Sequence, residues 1–334
     1  MTPSRTPTLT HTPVMLAEVL AALAPRPGGD YVDATFGAGG YTRAILAAAP
    51  CRVFAIDRDP EALARGRDLA RDWDNRLQLL AGRFGDMERL LAAVGQQRVD
   101  GVAFDLGMAS TQVDAAARGF SFRTSGPLDM RMDPTAGETA ADVVNTASEA
   151  ELARIIRDLG EERAARRIAK AVVAARGNRP FRRTDELAAL VRSIVPATAG
   201  GVDPATRTFQ ALRIHVNDEL GELDHGLGAA ERLLVPGGRL VVVAYHSLED
   251  RRVKRFLRDR SGTAPRPSRH QPGSASAGGP SPSFRLLGRG TVKPSTAEMA
   301  TNPRSRSARL RAAERTDAPP HNPGEAPLKK RAAA

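Results

Sequence analysis

The sequence predicts a doubly wound α/β domain interrupted by a helical insertion, on three observations. From Tyr31 to Gly107, short apolar or β-branched runs alternate with Ala/Leu/Arg stretches of helical period, the pattern of βα units on a parallel sheet. After Gly107, a Gly/Met/Asp-rich loop gives way to helical patterns with no convincing strand among them. The alternation then resumes and closes on "RLVVVAYHS", a fully apolar run ending in polar residues.

The elements follow in order. "PVMLAEVLAALA" reads as a helix ahead of the first strand, "YVDAT". Further strands at "RVFAID", "LQLLAG" and "GVAFDL" are separated by helices at "YTRAILAAA", "PEALARGRDLARDW" and "DMERLLAAV". Asp59 is placed to cap the second of these helices, with Pro60 at its first position, where a missing N–H costs nothing. "ASEAELARIIRDLGEERAARRIAKAVVAAR" and "TDELAALVRSIV" supply the insertion. A long helix from about Pro204 to Leu234, a "VPGG" turn and the fifth strand return the chain to the sheet, and "FRLLGRGTVKP" and "SARLRAAER" can add two last strands. The expected domains are therefore a sheet domain in two parts, 1–108 and 203–315, a helical insertion at 109–202 for substrate recognition, and a disordered tail at 316–334. The Pro/Gly/Ser-rich stretch 261–282 reads as a mobile loop.

With 334 residues and 41% hydrophobic composition, the chain can bury one large core plus a satellite. A formal net charge of +11, mostly from Arg, favours phosphate-rich partners. Arg is also abundant in the segments that read as unstructured, so a compositional bias explains part of it and charge alone does not decide. The single Cys51 excludes a disulfide framework, a cysteine zinc cluster and a redox pair; no metal site is expected, and a reducing cytoplasm fits. The N-terminus lacks the apolar core of a signal peptide and the run near Leu240 is too short to span a bilayer, so a cytoplasmic protein with no membrane contact is expected.

Ligands of doubly wound sheets bind beyond the carboxyl ends of the strands. "DATFGAGGYT" puts Gly37, Gly39 and Gly40 there, but Thr42 stands where a dinucleotide fingerprint wants Gly or Ala. Asp57 ends the second strand, placed to accept both ribose hydroxyls of an adenosine. Asp33 and Asp105 end the first and fourth strands on either side of the switch point. A pyrophosphate would be repelled by such a crevice, whereas S-adenosylmethionine carries an ammonium and a sulfonium and would be attracted. Each acid taken singly also reads as a helix cap or surface ion pair; three at three strand ends favour a site.

Methyl transfer from a sulfonium is an in-line displacement in which the protein positions two partners and handles one proton. Carbon-5 methylation of a pyrimidine needs a thiolate, and Cys51 lies at the wrong edge of the sheet. An exocyclic amine needs only acceptors for its hydrogens, and Asp105 with the carbonyls of Leu106 and Gly107 can be such acceptors.

The stretches "HTPVML", "DATFGAGGYT", "AIDRDP", "FDLGMAS", "RGFSFRTSGPLDMRMD", "GEERAARRIAKAV", "PATRTFQALRIHVNDEL", "HSLEDRRVKRF" and "NPRSRSARLR" run in order from His11 to about Arg315. They closely resemble the bacterial ribosomal RNA small subunit methyltransferase H family. The resemblance implies a Rossmann-like class I S-adenosylmethionine-dependent methyltransferase sheet and N4-methylation of a cytidine in the decoding region of 16S ribosomal RNA. The partner it implies is 16S rRNA in the small ribosomal subunit; a homodimer stays open. By the same resemblance the donor contacts fall on Gly39, Gly40, Tyr41, Asp57, Phe84, Asp105 and Gln112, with Phe84 against the adenine and Gln112 reaching back from the insertion. Tyr41 stands where the family usually has His, and Ala109 where it has Ser; the resemblance implies a backbone contact at the first position, which tolerates the change, and the second lacks the hydroxyl.

Other residues carry two readings each. His246, after the fifth strand, can accept a proton or bond the base, or can cap the next helix. Phe120 and Phe122 can stack a flipped cytosine or anchor the insertion. Arg131 is a phosphate clamp or an internal ion pair with Asp129 or Asp133. Arg163, Arg166, Arg167 and Lys170 form an RNA-facing stripe or a solvated helix face with i,i+4 pairs from Glu161 and Glu162. Against the methyltransferase stand methylation of another amine in RNA or protein, a nicotinamide-dependent dehydrogenase, opposed by Thr42 and Asp33, and a noncatalytic RNA-binding protein with a relic pocket.

Overall fold

A computed structural model describes residues 13–197, 201–263 and 280–321. In chain order the elements are α1 (Leu16–Leu23), β1 (Asp30–Asp33), α2 (Gly40–Ala48), β2 (Arg52–Asp57), α3 (Pro60–Arg71), β3 (Leu77–Ala81), α4 (Met87–Ala92) and β4 (Val99–Asp105). There follow α5 (Ser110–Asp114), α6 (Ala140–Thr146), α7 (Glu149–Gly160), α8 (Ala165–Arg176), α9 (Thr184–Ile194), α10 (Ala205–Asn217) and α11 (Glu219–Leu233). The last are β5 (Leu234–Ala244), α12 (Ser247–Arg260), β6 (Phe284–Leu286), α13 (Thr296–Thr301) and β7 (Arg309–Arg315).

The chain divides into two compact units: Met1–Asp57, Gly66–Leu106 and Leu223–Ala334 form one, and Arg58–Arg65 with Gly107–Glu222 the other. The first unit holds a seven-stranded sheet of order β3-β2-β1-β4-β5-β7-β6. β1 to β5 run parallel, and β7 pairs antiparallel with both β5 and β6. The register sets Asp33 opposite Ala55 and Ala103, and Asp105 opposite Val243, so the acids that end β1, β2 and β4 share the carboxyl edge. Central strands buried on both faces read as continuous apolar runs, as Val102–Phe104 and Leu240–Val243 do. Their side chains join those of α4, α11 and α12 in one core that includes Leu91, Leu227, Ala230 and Val253.

The second unit packs α6 to α10 around Val143, Ile156, Ile168, Leu187 and Leu212. It extends through Glu222, beyond the expected boundary at 202, because Ala205, Phe209 and Leu212 of α10 join this core, and the helix expected from Pro204 to Leu234 is two helices. Asp218 adopts the left-handed conformation at φ 47°, ends α10, and lets the chain restart as α11. Glu161, at φ 51°, divides α7 from α8 in the same way.

Two further expectations change. The "VPGG" turn lies within β5: the ladder passes from Leu234 opposite Val99 to Arg239 opposite Gly101, an irregularity that absorbs those residues, and Gly237 takes φ 82°. The stretch expected to start a disordered tail at 316 is bonded to the first unit through its first residues. Thr316 donates from its amide to the Ser283 carbonyl (3.0 Å) and from its hydroxyl to Pro282 (2.7 Å), and the His321 amide donates to Glu231 (3.1 Å). The rest of that tail, 322–334, and most of the expected loop 261–282, at 264–279, lie outside the described residues.

Candidate active site

The loop from β1 to α2 is built by its own polar side chains. Oδ2 of Asp33 accepts hydrogen bonds from the Thr42 hydroxyl (2.7 Å) and amide (3.1 Å), and Oδ1 accepts from the Thr35 amide (3.2 Å). Burial, and secondarily Asp57, push the Asp33 carboxyl up to about 6 despite those bonds. Thr42, which departs from the dinucleotide pattern, is thus the residue that ties the loop to the strand. Gly37 donates its amide to Oδ2 of Asp57 (2.7 Å). Gly39 sits at φ 75°, where a Cβ would stand 2.9 Å from the Phe36 ring, and a Cβ on Gly40 would stand 2.3 Å from Cγ of Pro13. The Tyr41 side chain is buried and donates to the Val14 carbonyl (2.6 Å).

Asp105 closes β4. Its amide donates to the Thr35 hydroxyl (2.7 Å), which sets the strand end against the β1 loop, and its Oδ1 accepts from the Tyr245 hydroxyl (2.7 Å). Desolvation raises its carboxyl to about 7; Asp33 and Glu249 push the same way, and the Tyr245 bond pushes back. A carboxyl that titrates near neutrality can hold or release a proton at working pH.

Phe84, in a single 3₁₀ turn after β3, is partly buried and meets Phe104 edge to face, with centroids 5.5 Å apart. A Cβ on Gly226 would lie 2.7 Å from the Phe84 ring, so α11 supports that ring from behind.

His246 caps α12. Its Nδ1 accepts from the Glu249 amide (3.4 Å), its Nε2 lies 3.1 Å from Oε1 of Glu249, and Oε2 of Glu249 accepts from the amides of Tyr245 (2.8 Å) and His246 (3.2 Å). Of its two readings, the cap is the one the structure displays. Cys51, buried just before β2, is separated from Asp57 by the length of that strand, roughly 20 Å.

The sheet unit thus brings together Asp33, Gly37, Gly39, Gly40, Tyr41, Asp57, Phe84, Asp105 and His246 at or beside strand ends. Gln112 belongs to the other unit, where its Nε2 donates to Asp59 (2.8 Å) and its Oε1 accepts from the Ala109 amide (3.2 Å). Both halves of its amide therefore have partners within the unit. Asp59 caps α3 as expected, accepting from the Glu61 amide (3.0 Å), and it also takes the guanidinium of Arg118 (3.0 Å).

Phe120 is 7% exposed inside the second core, and Phe122 lies against Phe209 (4.9 Å) beneath the Arg192 guanidinium (5.5 Å), so both anchor that unit. Arg131 forms a bidentate pair with Asp129 (2.9 and 2.8 Å). Arg163, Arg166, Arg167 and Lys170 are exposed on or beside α8. Glu162 turns to the Ala164 amide (2.8 Å) and to Arg207, and Glu161 closes α7.

The sequence reading missed Tyr245, Thr35, Glu249 and Arg118. A usable signal existed for the first, since Tyr245 follows the apolar run of the strand that pairs with β4.

A model of the MraW methylase family matches residues 8–316. The chain belongs to that family. It is accordingly a methyltransferase that uses S-adenosylmethionine. Curated relatives named ribosomal RNA small subunit methyltransferase H include that of Paramagnetospirillum magneticum, 61% identical over 92% of this chain and 96% of its own. Those of Rhodospirillum centenum (61%, 95% of each chain) and Rhodospirillum rubrum (59%, 92% of this chain and 95% of its own) are similar. Among solved structures, a putative rRNA methylase from Clostridium thermocellum aligns over 92% of this chain and 100% of its own, at TM-score 0.42 and 14% identity. No helix among the described residues is long and apolar enough to cross a membrane.

Proposed function

We propose that this methyltransferase modifies N4 of a cytidine in the decoding region of 16S ribosomal RNA, within the small ribosomal subunit and in the cytoplasm. The observation that carries the reading is Asp105: a strand-end carboxyl, desolvated to titrate at about 7 and held in one orientation by Tyr245. The names of the relatives supply the substrate class.

The sheet unit fits the donor. Desolvation, the first cause of the raised Asp33 and Asp105 values, and the mutual influence of the acids are both relieved by a cation. The glycine loop packs closely on Phe36 and Pro13, where a Cβ on Gly39 or Gly40 would collide, and so holds its turn at the strand end. When bound, S-adenosylmethionine supplies an electrophilic methyl group on a sulfonium.

Asp57 takes the ribose hydroxyls, Phe84 flanks the adenine, and the amides of Gly37 to Tyr41 line the donor's path. Asp33 braces this loop and adds negative potential behind it. Asp105 would accept a hydrogen bond from the exocyclic amine, steering the nitrogen lone pair out of conjugation, and take the proton that nitrogen sheds as the methyl carbon passes from sulfur to nitrogen. His246 is the second candidate for a bond to the base, and Gln112 for a contact to the donor.

Transfer of labelled methyl to small subunits lacking the mark, followed by mass spectrometry of the 16S RNA, tests this. Label in N4-methylcytidine is expected; label only in another base or in protein assigns a different amine.

A further inference from the structure

We propose that the outward face of α12 is a phosphate-binding track for the RNA substrate, carried by the sheet unit itself. This rests on the RNA reading above and adds to it a surface that the helical insertion does not supply.

α12 begins two residues after Tyr245, whose hydroxyl holds Asp105. Arg251, Lys254, Arg255 and Arg258 are all exposed, and their spacing of i, i+3, i+4 and i+7 sets them on one helical face. The opposite face, Glu249, Asp250, Val253 and Leu257, is buried.

Two of the helix's acids point inward and are answered there. Glu249 takes the amides of Tyr245 and His246. Asp250 takes Arg311 of β7 (2.8 and 3.1 Å), with Arg309 a further 4.0 Å away. The third, Asp259, lies outward beside Arg258 (3.2 Å). Lys254 and Arg255 make no ion pair among the described residues. The helix therefore answers two of its three acids within the fold and leaves Lys254 and Arg255 exposed beside Arg251 and Arg258, a cationic face that suits a polyanion.

Length and composition select the polyanion. From Arg251 to Arg258 the helix rises about 10 Å, enough to follow a stretch of backbone leading away from a base held near Asp105. A bilayer surface would need the helix's apolar side, and Val253 and Leu257 are 1% and 3% exposed in the core. Sugar-phosphate contacts of this kind set register and orientation without reading sequence.

The test uses the full chain carrying Arg251→Gln, Lys254→Gln and Arg255→Gln together, with small subunits lacking the mark. Calorimetry with S-adenosylmethionine and circular dichroism verify that donor affinity and fold are those of the parent. The variant is expected to raise KM for subunits about tenfold near physiological salt, with kcat changed less than about twofold. It should also lessen the slope of log affinity against log salt by about two, as three lost single-strand phosphate contacts require.

An unchanged KM and salt slope, with the parent fully active, would overturn the track and leave the RNA reading standing. A loss seen with intact subunits but not with a naked 16S fragment would also overturn it, assigning the face to a ribosomal protein. If the parent itself methylates no RNA, the underlying reading fails instead.

Discussion

The Tyr245 hydroxyl donates a 2.7 Å hydrogen bond to Oδ1 of Asp105, joining the ends of two paired parallel strands across 140 residues of sequence. The bond favours the ionised carboxylate, against the desolvation that raises Asp105 to about 7 and the further push of Asp33 and Glu249. Tyr245→Phe removes the only one of these influences that lowers the value. Asp105 should then hold its proton to higher pH, and the acid limb of the kcat profile should move up by up to about one unit. At pH 7 this predicts a loss of about three- to tenfold that recovers under alkaline conditions. A uniform loss at every pH would show that Tyr245 matters only for packing.

Asp105→Asn keeps the size of the side chain and removes its charge and its capacity to take a proton. Single-turnover methyl transfer is expected to fall by about 10²- to 10⁴-fold. Calorimetry with S-adenosylmethionine separates its two roles. If donor affinity falls only slightly while the transfer step collapses, Asp105 serves the amine; if both fall together, it serves the cationic donor as well.

The parts of this site that were legible in the sequence depend on short-range signals. Asp33, Asp57 and Asp105 could be placed because each ends a recognisable parallel strand, and Gly37 to Gly40 because the chain must turn there. What could not be read depends on partners distant in sequence. The hydroxyl of Thr35 accepts the Asp105 amide across 70 residues, and neither residue type announces that contact. The division of the helix at Asp218 was hidden for a different reason. The helical pattern continues on both sides, and only the left-handed backbone of a non-glycine residue interrupts it. The second unit runs to Glu222 because α10 buries Ala205, Phe209 and Leu212 in the core of that unit, a packing choice the helical pattern does not reveal. Gln112 shows the converse: the resemblance assigned it to the donor, while its amide is bonded at both ends to Asp59 and Ala109.

The unliganded protein should lose stability as pH rises from about 4 to 7. Asp33 at about 6 and Asp105 at about 7 both bind protons more tightly folded than in the unfolded chain, where a carboxyl titrates near 3.9. Their contribution is therefore complete below the unfolded value and is lost as pH climbs through the folded ones. Asp129, Asp142 and Asp203 are held low and act in the opposite direction, but in the range below about 4. Calorimetric scans should give a Tm several degrees higher at pH 5 than at pH 8, and Asp33→Asn should flatten the difference. Saturating S-adenosylmethionine should raise Tm more at pH 8, because a cation favours the ionised acids. An unliganded Tm that is flat or rising between pH 5 and 8 would contradict the assignment.

Arg118→Ala should destabilise the second unit by about 3–5 kcal/mol, the usual cost of removing one partner from a buried ion pair. Asp59 is 1% exposed, and Arg118 reaches its Oδ2 at 3.0 Å while its other nitrogen donates to the carbonyls of Met132 (2.8 Å) and Arg131 (3.1 Å). Removal leaves the Asp59 carboxylate buried with Gln112 and the Glu61 amide as its remaining named donors, and orphans two carbonyls as well. Lysine cannot substitute, since one ammonium does not span the carboxylate and both carbonyls as the guanidinium fork does. Gln112→Ala removes a single bond to the same oxygen and should cost only about 1–3 kcal/mol. Urea unfolding of Arg118→Ala, Gln112→Ala and Arg118→Ala/Asp59→Asn separates these effects. The double variant should recover part of the loss, because the stranded charge and not the missing packing is what makes Arg118→Ala expensive.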